Sequence, residues 1–263
     1  MEHYQGARVA IFKAETDKFP DPYVEELEKV GFLPKLVPVI TFDFFNLDLL
    51  KEKLSNHDKF SGLILSSERC ALAVHKSIEG SESILLPWKS KIVVCAGEAT
   101  AEKTKNLTGL SPIFGEKQRA EGIIDLLEST NPTPRLMLNP CGELAASRDS
   151  LATGLSLKGI NCECLAVYKT IPNPCLKSEL ENIFVKEETE WPKLLIFFSP
   201  SGLKAVMENL VNCEIINFCK LVSIGPSTST AIRENGFTVW AEAENPNPKS
   251  LREAIEKSAY HCT

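Results

Sequence analysis

Serine, threonine and glycine residues recur where an apolar run gives way to a polar segment. The four clusters are Ser66-Ser67, Gly97 with Thr100, Ser199-Pro200-Ser201-Gly202, and Gly225-Pro226-Ser227-Thr228. Where a strand ends and a helix begins, the first N–H groups of the helix are unpaired and carry a partial positive charge. Such a helix start binds carboxylate or phosphate with few basic side chains. The clusters therefore predict an anionic ligand, whereas each serine taken singly could be a helix N-cap.

Two basic residues and a tyrosine are further candidates for chemistry. Arg69 and Lys220 could pair with the anion, although each could also be a solvated surface cation. The phenol of Tyr168 could donate a proton or a hydrogen bond, the alternative being an aromatic side chain on a strand. The sequence lacks the motifs of dinucleotide, P-loop, serine-hydrolase and zinc-protease sites, so these residues predict a site of another kind.

Cysteine and histidine spacing does not match a zinc site. None of the nine cysteines forms a C-x-x-C pair, the closest spacing is Cys162-x-Cys164, and the four histidines follow no ligand pattern. We therefore predict thiols in a reducing compartment. The amino terminus lacks a secretory pattern and no apolar run approaches the roughly 18 residues of a membrane span, so a cytoplasmic location is expected.

The charge balance restricts the partners. The 263-residue chain has 29 Lys and Arg against 35 Asp and Glu, which gives a formal net charge of −6. This balance argues against binding to nucleic acid or to anionic membranes. An acidic small molecule stays compatible with it, because the local field of a pocket can oppose the net charge.

Alternating strands and helices must position the candidate residues. Nearly continuous apolar runs, as in parallel strands covered on both faces, occupy residues 8–12, 36–40, 63–65, 92–95, 136–138, 194–198, 221–224 and 237–240. Amphipathic segments follow Asp21-Pro22 and occupy 68–78, 120–127, 203–210, 227–235 and 250–255. The alternation predicts an α/β fold of parallel sheets flanked by helices.

A weak internal repeat relates two parts of the chain. Residues 64–68 resemble 196–200, and residues 94–100 resemble 222–228, at offsets of 132 and 128 residues. A repeat of this length indicates two similar α/β domains rather than a solenoid, the alternative being convergence of β-turn-α units. The repeat does not distinguish two sequential domains from a discontinuous arrangement.

Several short motifs follow one another along the chain. They are Asp21-Pro22-Tyr23, Pro38-Val39 with Phe42, Gly62-Leu63-Ile64 with Ser67 and Arg69, Gly97-x-Ala99-Thr100, Pro140-Cys141-Gly142, Val167-Tyr168-x-Thr170, Ser199-Pro200-Ser201-Gly202, Lys220, Ile224-Gly225-Pro226 and Pro246-x-Pro248. This ordered set resembles the uroporphyrinogen-III synthase family of the animal type over roughly residues 8–256. The serine-proline-serine-glycine and isoleucine-glycine-proline blocks are the most specific.

The resemblance implies two similar α/β domains joined by a two-stranded β-ladder. One domain would be discontinuous and consist of residues 1–36 and 171–263, and the other would span 42–163. The linker strands would be 36–41 and 164–170, with a ligand cleft between the domains.

The resemblance also implies a lyase that cyclises hydroxymethylbilane, a linear tetrapyrrole, to uroporphyrinogen III with inversion of ring D. Loss of the terminal hydroxyl as water would give an azafulvene, which would close through a spiro-pyrrolenine intermediate. It implies no metal and no organic cofactor, and the family precedent is a monomer.

The resemblance and the strand-end pattern together assign residue roles. Tyr168 is the candidate general acid for departure of the hydroxyl. The candidates for positioning substrate carboxylates are Ser67, Arg69, Thr100, Ser199, Ser201, Gly202, Lys220, Ser227 and Thr228.

Two other classes stay open on the sequence. A non-catalytic two-domain small-anion binding protein would share the fold, although periplasmic binders of that kind carry an export signal. A nucleotide-dependent enzyme of the doubly wound class would share the α/β pattern, although its glycine motif is missing.

Overall fold

The computed structural model describes residues 5–15, 20–115, 120–148, 150–184, 190–210 and 213–260. Residues 1–4, on which the prediction about a secretory signal partly rests, lie outside these ranges, as do His261 and Cys262. The strands are β1 (Arg8–Ala14), β2 (Leu33–Phe44), β3 (Gly62–Leu65), β4 (Ile92–Cys95), β5 (Ile113–Phe114), β6 (Leu136–Gly142), β7 (Asn161–Pro172), β8 (Leu194–Phe197), β9 (Lys220–Ser223) and β10 (Val239–Glu242).

The α-helices are α1 (Pro22–Glu28), α2 (Leu47–Ser55), α3 (Glu68–Ser77), α4 (Glu98–Thr108), α5 (Ala120–Glu128), α6 (Glu143–Arg148), α7 (Ser150–Ser156), α8 (Leu176–Phe184), α9 (Pro200–Asn209), α10 (Pro226–Glu234) and α11 (Pro248–Tyr260). Short 3₁₀ helices cover His57–Lys59, Glu82–Ser90 and Cys213–Phe218. No helix of the described ranges is both long and apolar enough to cross a membrane.

The chain forms two compact units. Unit 1 comprises Met1–Thr41 and Ile171–Thr263, and unit 2 comprises Phe42–Thr170. The strand order is β10-β9-β8-β1-β2 in unit 1 and β5-β4-β3-β6-β7 in unit 2, and the neighbours within each order are parallel. The two orders correspond strand for strand. These sheets confirm the predicted α/β class of parallel strands flanked by helices.

Burial on both faces explains the continuous apolar runs. In β3, Leu63 and Leu65 enter one core cluster of unit 2, while Ile64 enters the cluster on the other face. In β8, Leu195 and Phe197 likewise pack in one core cluster of unit 1, and Leu194 and Ile196 pack in another. Since successive side chains of a strand point to opposite faces, a strand covered on both faces needs apolar residues at every position.

Equivalent helices of the two units begin in the same way. Ser67 and Ser199 are N-caps with extended backbones, at φ −155° and −162°, before α3 and α9. Gly97 and Gly225 precede α4 and α10 with φ of 176° and 168° and offer no side-chain cap. The internal repeat thus corresponds to a β-α-β-α segment present once in each unit.

Strands β2 and β7 each continue past a unit boundary. In unit 1, Asn173 N–H donates to Val39 O at 3.1 Å, and in unit 2, Phe45 N–H donates to Val167 O at 3.0 Å. Each of these backbone hydrogen bonds lies within one unit, a few residues from the point where the chain passes into the other.

Several described elements were not predicted. They are the helices α2, α6, α7 and α8 and the two-residue strand β5. In the segment of α6 and α7, Ser147, Ser150 and Gly154 weaken the apolar pattern, although Leu151 and Leu155 of α7 pack into a core cluster of unit 2.

Candidate active site

In unit 2, Ser67 joins the end of β3 to the start of α3 and contacts Tyr168. Its Oγ accepts a hydrogen bond from the N–H of Cys70 at 3.4 Å and lies 3.2 Å from the phenolic oxygen of Tyr168. Its one proton can be donated to Sγ of Cys70, which lies 3.1 Å away, or, in the arrangement that frees the phenol, to the phenolic oxygen. The phenol proton is then available to a ligand.

Packing holds the ring of Tyr168. A Cβ added to Gly142 would lie 2.9 Å from Cζ of Tyr168, so the ring occupies the space that a side chain at position 142 would take. The ring centroids of Phe42 and Phe44 lie 6.1 and 6.2 Å from that of Tyr168. Partial burial raises the pKa of the phenol above its ordinary value, and the hydrogen bond with Ser67 opposes this only in part. Tyr168 therefore keeps its proton at neutral pH.

Arg69 lies in the first turn of α3 and stacks on an aromatic ring. Its Cζ atom is 3.5 Å from the ring centroid of Phe42, and it forms no ion pair with a carboxylate of the described residues. Stacking on the ring fixes the plane of the guanidinium, whose N–H groups can bind a carboxylate in bidentate fashion. Arg69 is thus a cation available to a ligand near Tyr168.

Thr100 belongs to the uncapped first turn of α4. The ends of β3 and β4 adjoin, since Leu65 pairs with Cys95 and the N–H of Ala96 donates to Leu65 O at 3.2 Å. With 8% of its surface exposed, Thr100 presents little side chain to a ligand. What this region can offer a ligand is therefore the uncapped backbone N–H groups at the start of α4.

A cavity of about 590 Å³ opens at the carboxyl edge of the sheet in unit 2. Ser66 follows β3 and lines it, as do Cys141 of β6 and Tyr168 and Lys169 of β7. Tyr168 thus joins the Ser67 contact to a space large enough to hold part of an organic ligand.

In unit 1, Ser199 caps α9 with its side chain. Its Oγ accepts the N–H of Gly202 at 3.0 Å and lies 3.1 Å from Oγ of the exposed Ser201. A Cβ on Gly202 would lie 3.2 Å from Oγ of Ser199 and 3.4 Å from Cγ2 of Val39, so glycine permits a close approach of this helix start to the sheet. The serine-proline-serine-glycine block therefore builds a compact, hydroxyl-bearing helix start.

The helix start of α10 presents Ser227 rather than Thr228. Ser227 is exposed in the first turn, whereas Thr228 is 1% exposed. Oγ1 of Thr228 is buried and has no hydrogen-bond partner in the described part of the chain. Of the two predicted hydroxyls, the structure leaves only Ser227 accessible to a ligand.

Lys220 lies away from the predicted anion-binding edge. It is the first residue of β9, and its N–H donates to Lys193 O, which precedes β8. Ser199 and Ser227 instead follow the carboxyl ends of β8 and β9. Lys220 therefore lies a strand length from these two helix starts, and its role as a partner of substrate carboxylates stays a prediction.

Sequence reasoning missed Lys13, which lies near the carboxyl end of β1. Its Nζ lies 2.6 Å from Oδ2 of Asp21, 5.0 Å from the ring centroid of Tyr23 and 5.5 Å from that of Phe198. Asp21 also caps α1 by accepting the N–H of Tyr23 at 2.9 Å. The available signal was position: Lys13 directly follows the apolar run 8–12.

The described residues do not assemble a metal centre. Within them, no three or more His, Cys, Asp or Glu side chains are grouped so as to hold a metal ion. The cysteines at positions 70, 95, 141, 162, 164, 175 and 219 are free thiols.

The fold and the two strand edges define a class of protein. In each unit, one helix that follows a strand begins with a serine N-cap and another begins without a side-chain cap. Unit 2 also has the protonated phenol of Tyr168 near the guanidinium of Arg69. This arrangement suits an anionic ligand and one proton transfer.

Comparisons with known proteins agree with this class. The sequence profile described as "Uroporphyrinogen-III synthase HemD" matches residues 21–253. The uroporphyrinogen-III synthase of Schizosaccharomyces pombe is 26% identical over 258 residues, covering 93% of this chain and 94% of that protein. The uroporphyrinogen-III synthase of Saccharomyces cerevisiae is 26% identical over 291 residues, and the match covers 99% of this chain and 100% of that protein.

A solved structure has a similar fold. The uroporphyrinogen-III synthetase of Helicobacter pylori superposes with a TM-score of 0.61 at 19% identity, and the match covers 95% of this chain and 99% of that one. With the profile match over most of its length, the chain belongs to the uroporphyrinogen-III synthase family, whose members are lyases.

Proposed function

We propose that this protein cyclises hydroxymethylbilane to uroporphyrinogen III, with inversion of ring D and loss of water. The contact of Ser67 with Tyr168, whose side chain lines a cavity near Arg69, is the observation that carries the proposal. Membership of the family supports the same reaction.

Tyr168 is the general acid of the first step. The bond between the terminal carbon and its hydroxyl oxygen breaks as a pyrrole nitrogen supplies electrons, and the phenol proton passes to the departing hydroxyl, which leaves as water. The O–H of Ser67 and the positive charge of Arg69 stabilise the phenolate. It regains a proton when the closed macrocycle loses one to restore its aromatic pyrroles.

Carboxylate binding selects which ring closure follows. The azafulvene is already reactive, so the protein needs chiefly to hold the substituted carbon of ring D in position for attack. A hundredfold preference for the spiro-pyrrolenine route requires a difference of only about 2.7 kcal/mol between the two barriers. The helix starts at Ser67, Thr100, Ser199 and Ser227, together with Arg69, supply hydrogen bonds of that order.

The protein acts as a cytoplasmic monomer without metal or cofactor in this proposal. Burial of the thiols of Cys70 and Cys95 in the core of unit 2 supports a reducing compartment, where such thiols persist. Light scattering at micromolar concentration should give the mass of one chain.

Product analysis tests the proposed reaction. Hydroxymethylbilane is incubated with and without the protein, the products are oxidised to porphyrins, and the type III and type I isomers are separated by chromatography. We expect type III to predominate with the protein and type I without it. An isomer ratio equal to that of the spontaneous reaction would reject the proposal.

A further inference from the structure

Three thiols of unit 2 meet on one face of its sheet. Asn139 pairs with Cys164 in the parallel register of β6 and β7, and Cys141 pairs with Ala166, so these side chains share a face with Cys162. The Sγ atoms of Cys162 and Cys164 are 3.9 Å apart, and Cys164 accepts a hydrogen bond from Nδ2 of Asn139 at 3.5 Å.

This thiol cluster borders the cavity of about 590 Å³. Asn139, Cys141 and Cys164 line it, and so does Tyr168. Asn139 is 3% exposed, and its Oδ1 is buried without a hydrogen-bond partner among the residues described. A buried amide oxygen without a partner costs free energy, so the site is suited to a ligand that brings an N–H donor.

Within the cluster, Cys164 both lines the cavity and is partly exposed, whereas Cys141 is buried and Cys162 does not line the cavity. Hydrogen bonds from Cys141 and then from Cys162 lower the pKa of Cys164, while the hydrogen bond to Cys164 and burial raise the pKa of Cys141. The amide N–H of Asn139 also donates to Cys164 and favours its charged form. A thiolate is the reacting form of cysteine.

We propose that Cys164, with Cys141, Cys162 and Asn139, forms a site that takes up a low-molecular-weight cysteinyl disulfide of the glutathione class as a mixed disulfide. The Cys164 thiolate attacks one sulfur of the reagent, the reagent's S–S bond breaks, and its other half leaves as a thiolate. No further oxidant is required. A peptide N–H of the bound half donates to Oδ1 of Asn139.

The geometry stops the reaction at the mixed disulfide. Cys162 and Cys164 are two apart on one strand, and Cys141 and Cys164 are diagonal neighbours on adjacent strands. Side chains in these relations have Cα atoms roughly 7 Å apart, at the limit that a disulfide bridges without backbone movement. The adduct is therefore removed by an added thiol rather than by Cys141 or Cys162.

The test compares Cys164 with Cys175, which is exposed. The full-length protein is incubated with glutathione disulfide at neutral pH, and the adducts are located by intact mass and peptide mapping. We expect the Cys164 adduct to form at least about tenfold faster than the Cys175 adduct, because reactivity follows thiolate character more than exposure. Equal rates, or faster modification of Cys175, would overturn the proposal.

Two variants distinguish the site from a merely accessible thiol. Cys175→Ser should keep the fast adduct, whereas Cys164→Ser should lose it. Asn139→Asp keeps the side-chain shape but places a carboxylate beside the thiolate, so it should slow the reaction by about tenfold. Circular dichroism verifies that each variant is folded, and a rate in Asn139→Asp equal to that of the unmodified sequence would contradict the site. These mass readouts do not depend on the proposed enzymatic function.

Discussion

The contact between Ser67 and Tyr168 joins a helix start to a proton donor. Oγ of Ser67 accepts a hydrogen bond from the N–H of Cys70 and can donate its proton to the phenolic oxygen of Tyr168. The missing side chain of Gly142 leaves space for the ring of Tyr168. One side chain therefore caps α3 and orients the phenol. The predictions at the scale of single residues concern this contact.

Replacing Tyr168 by phenylalanine removes the proton donor and keeps the ring. We expect Tyr168→Phe to lower kcat for type III formation by roughly a hundredfold, since general acid catalysis contributes about that much or more. The measurement is the initial rate with hydroxymethylbilane, with thermal unfolding as the check on the fold. Tyr260→Phe, which changes an exposed phenol, is the matched control. Unchanged turnover in Tyr168→Phe would remove Tyr168 from the chemistry.

Adding one methyl group at Gly142 should displace the phenol. In Gly142→Ala the new Cβ would stand 2.9 Å from Cζ of Tyr168, so the ring must shift. A misplacement of this size costs roughly tenfold to a hundredfold in rate. Gly115→Ala is the control, because its Cβ would meet nothing closer than 3.5 Å. Equal rates for both variants would show that the ring position does not matter.

Local sequence patterns predicted some of the site residues. Contacts between residues far apart in the sequence could not be predicted in this way. Ser67 and Ser199 could be identified because N-caps depend on a few neighbouring residues. The approach of Tyr168 to Ser67 joins residues 101 positions apart, which no local pattern encodes. The position of Lys220 before the apolar run 221–224 indicates the amino end of a strand, as the structure has it.

At the scale of elements, one carboxylate connects three segments of unit 2. Glu163 of β7 pairs with Lys53 of α2 and, at 2.7 Å, with Lys59 of the 3₁₀ helix His57–Lys59. The hydrogen bonds from Lys53 and then Lys59 hold the pKa of Glu163 below its ordinary value of 4.5. These pairs contribute to stability only while the carboxylate is ionised.

The stability that Glu163 contributes should depend on pH in one direction. A carboxylate with a lowered folded-state pKa stabilises the protein above its unfolded-state pKa and loses this effect as pH falls through the folded-state value. Glu163→Gln should therefore be less stable than the unmodified sequence at pH 7, and the gap should shrink as pH falls below 4.5. Urea unfolding at several pH values measures it. The exposed Glu52→Gln is the control, and a gap that stays constant with pH would contradict the assignment.

Strands could be predicted from the sequence where helices cover both faces of the sheet. Residues 63–65 and 194–198 are apolar throughout, so they were predicted as strands of a parallel sheet. The helices α6 and α7 were not, because Gly154 and the neighbouring serines leave α7 only Leu151 and Leu155 as large core-facing residues. Contacts of the surrounding sheet and of α5, rather than local preference, hold this segment.

At the scale of the whole molecule, each core cluster is made by one unit alone. The clusters around Leu63 and Ile64 use residues between 42 and 170, and those around Phe12 and Val9 use residues from the two remaining segments. Unit 2 therefore has the internal core that an independent domain requires.

A fragment of residues 42–170 should fold alone. Because both of its core clusters are internal, we expect cooperative urea unfolding with one transition, and native-like far-ultraviolet circular dichroism. The comparison fragment 1–170 adds β1 and β2 without β8 and should show no more than the same single transition. A non-cooperative transition for 42–170 would indicate that its core depends on unit 1.

The discontinuity of unit 1 has a consequence for biosynthesis. Strand β1 pairs with β8, and residues 42–170 are translated between them. At about 5–20 residues per second, β1 leaves the ribosome roughly 9 to 36 s before its partner exists. During this interval the apolar side chains of β1 lack their native cover, so the nascent chain is a substrate for chaperones that bind exposed hydrophobic segments, while unit 2 can already be complete.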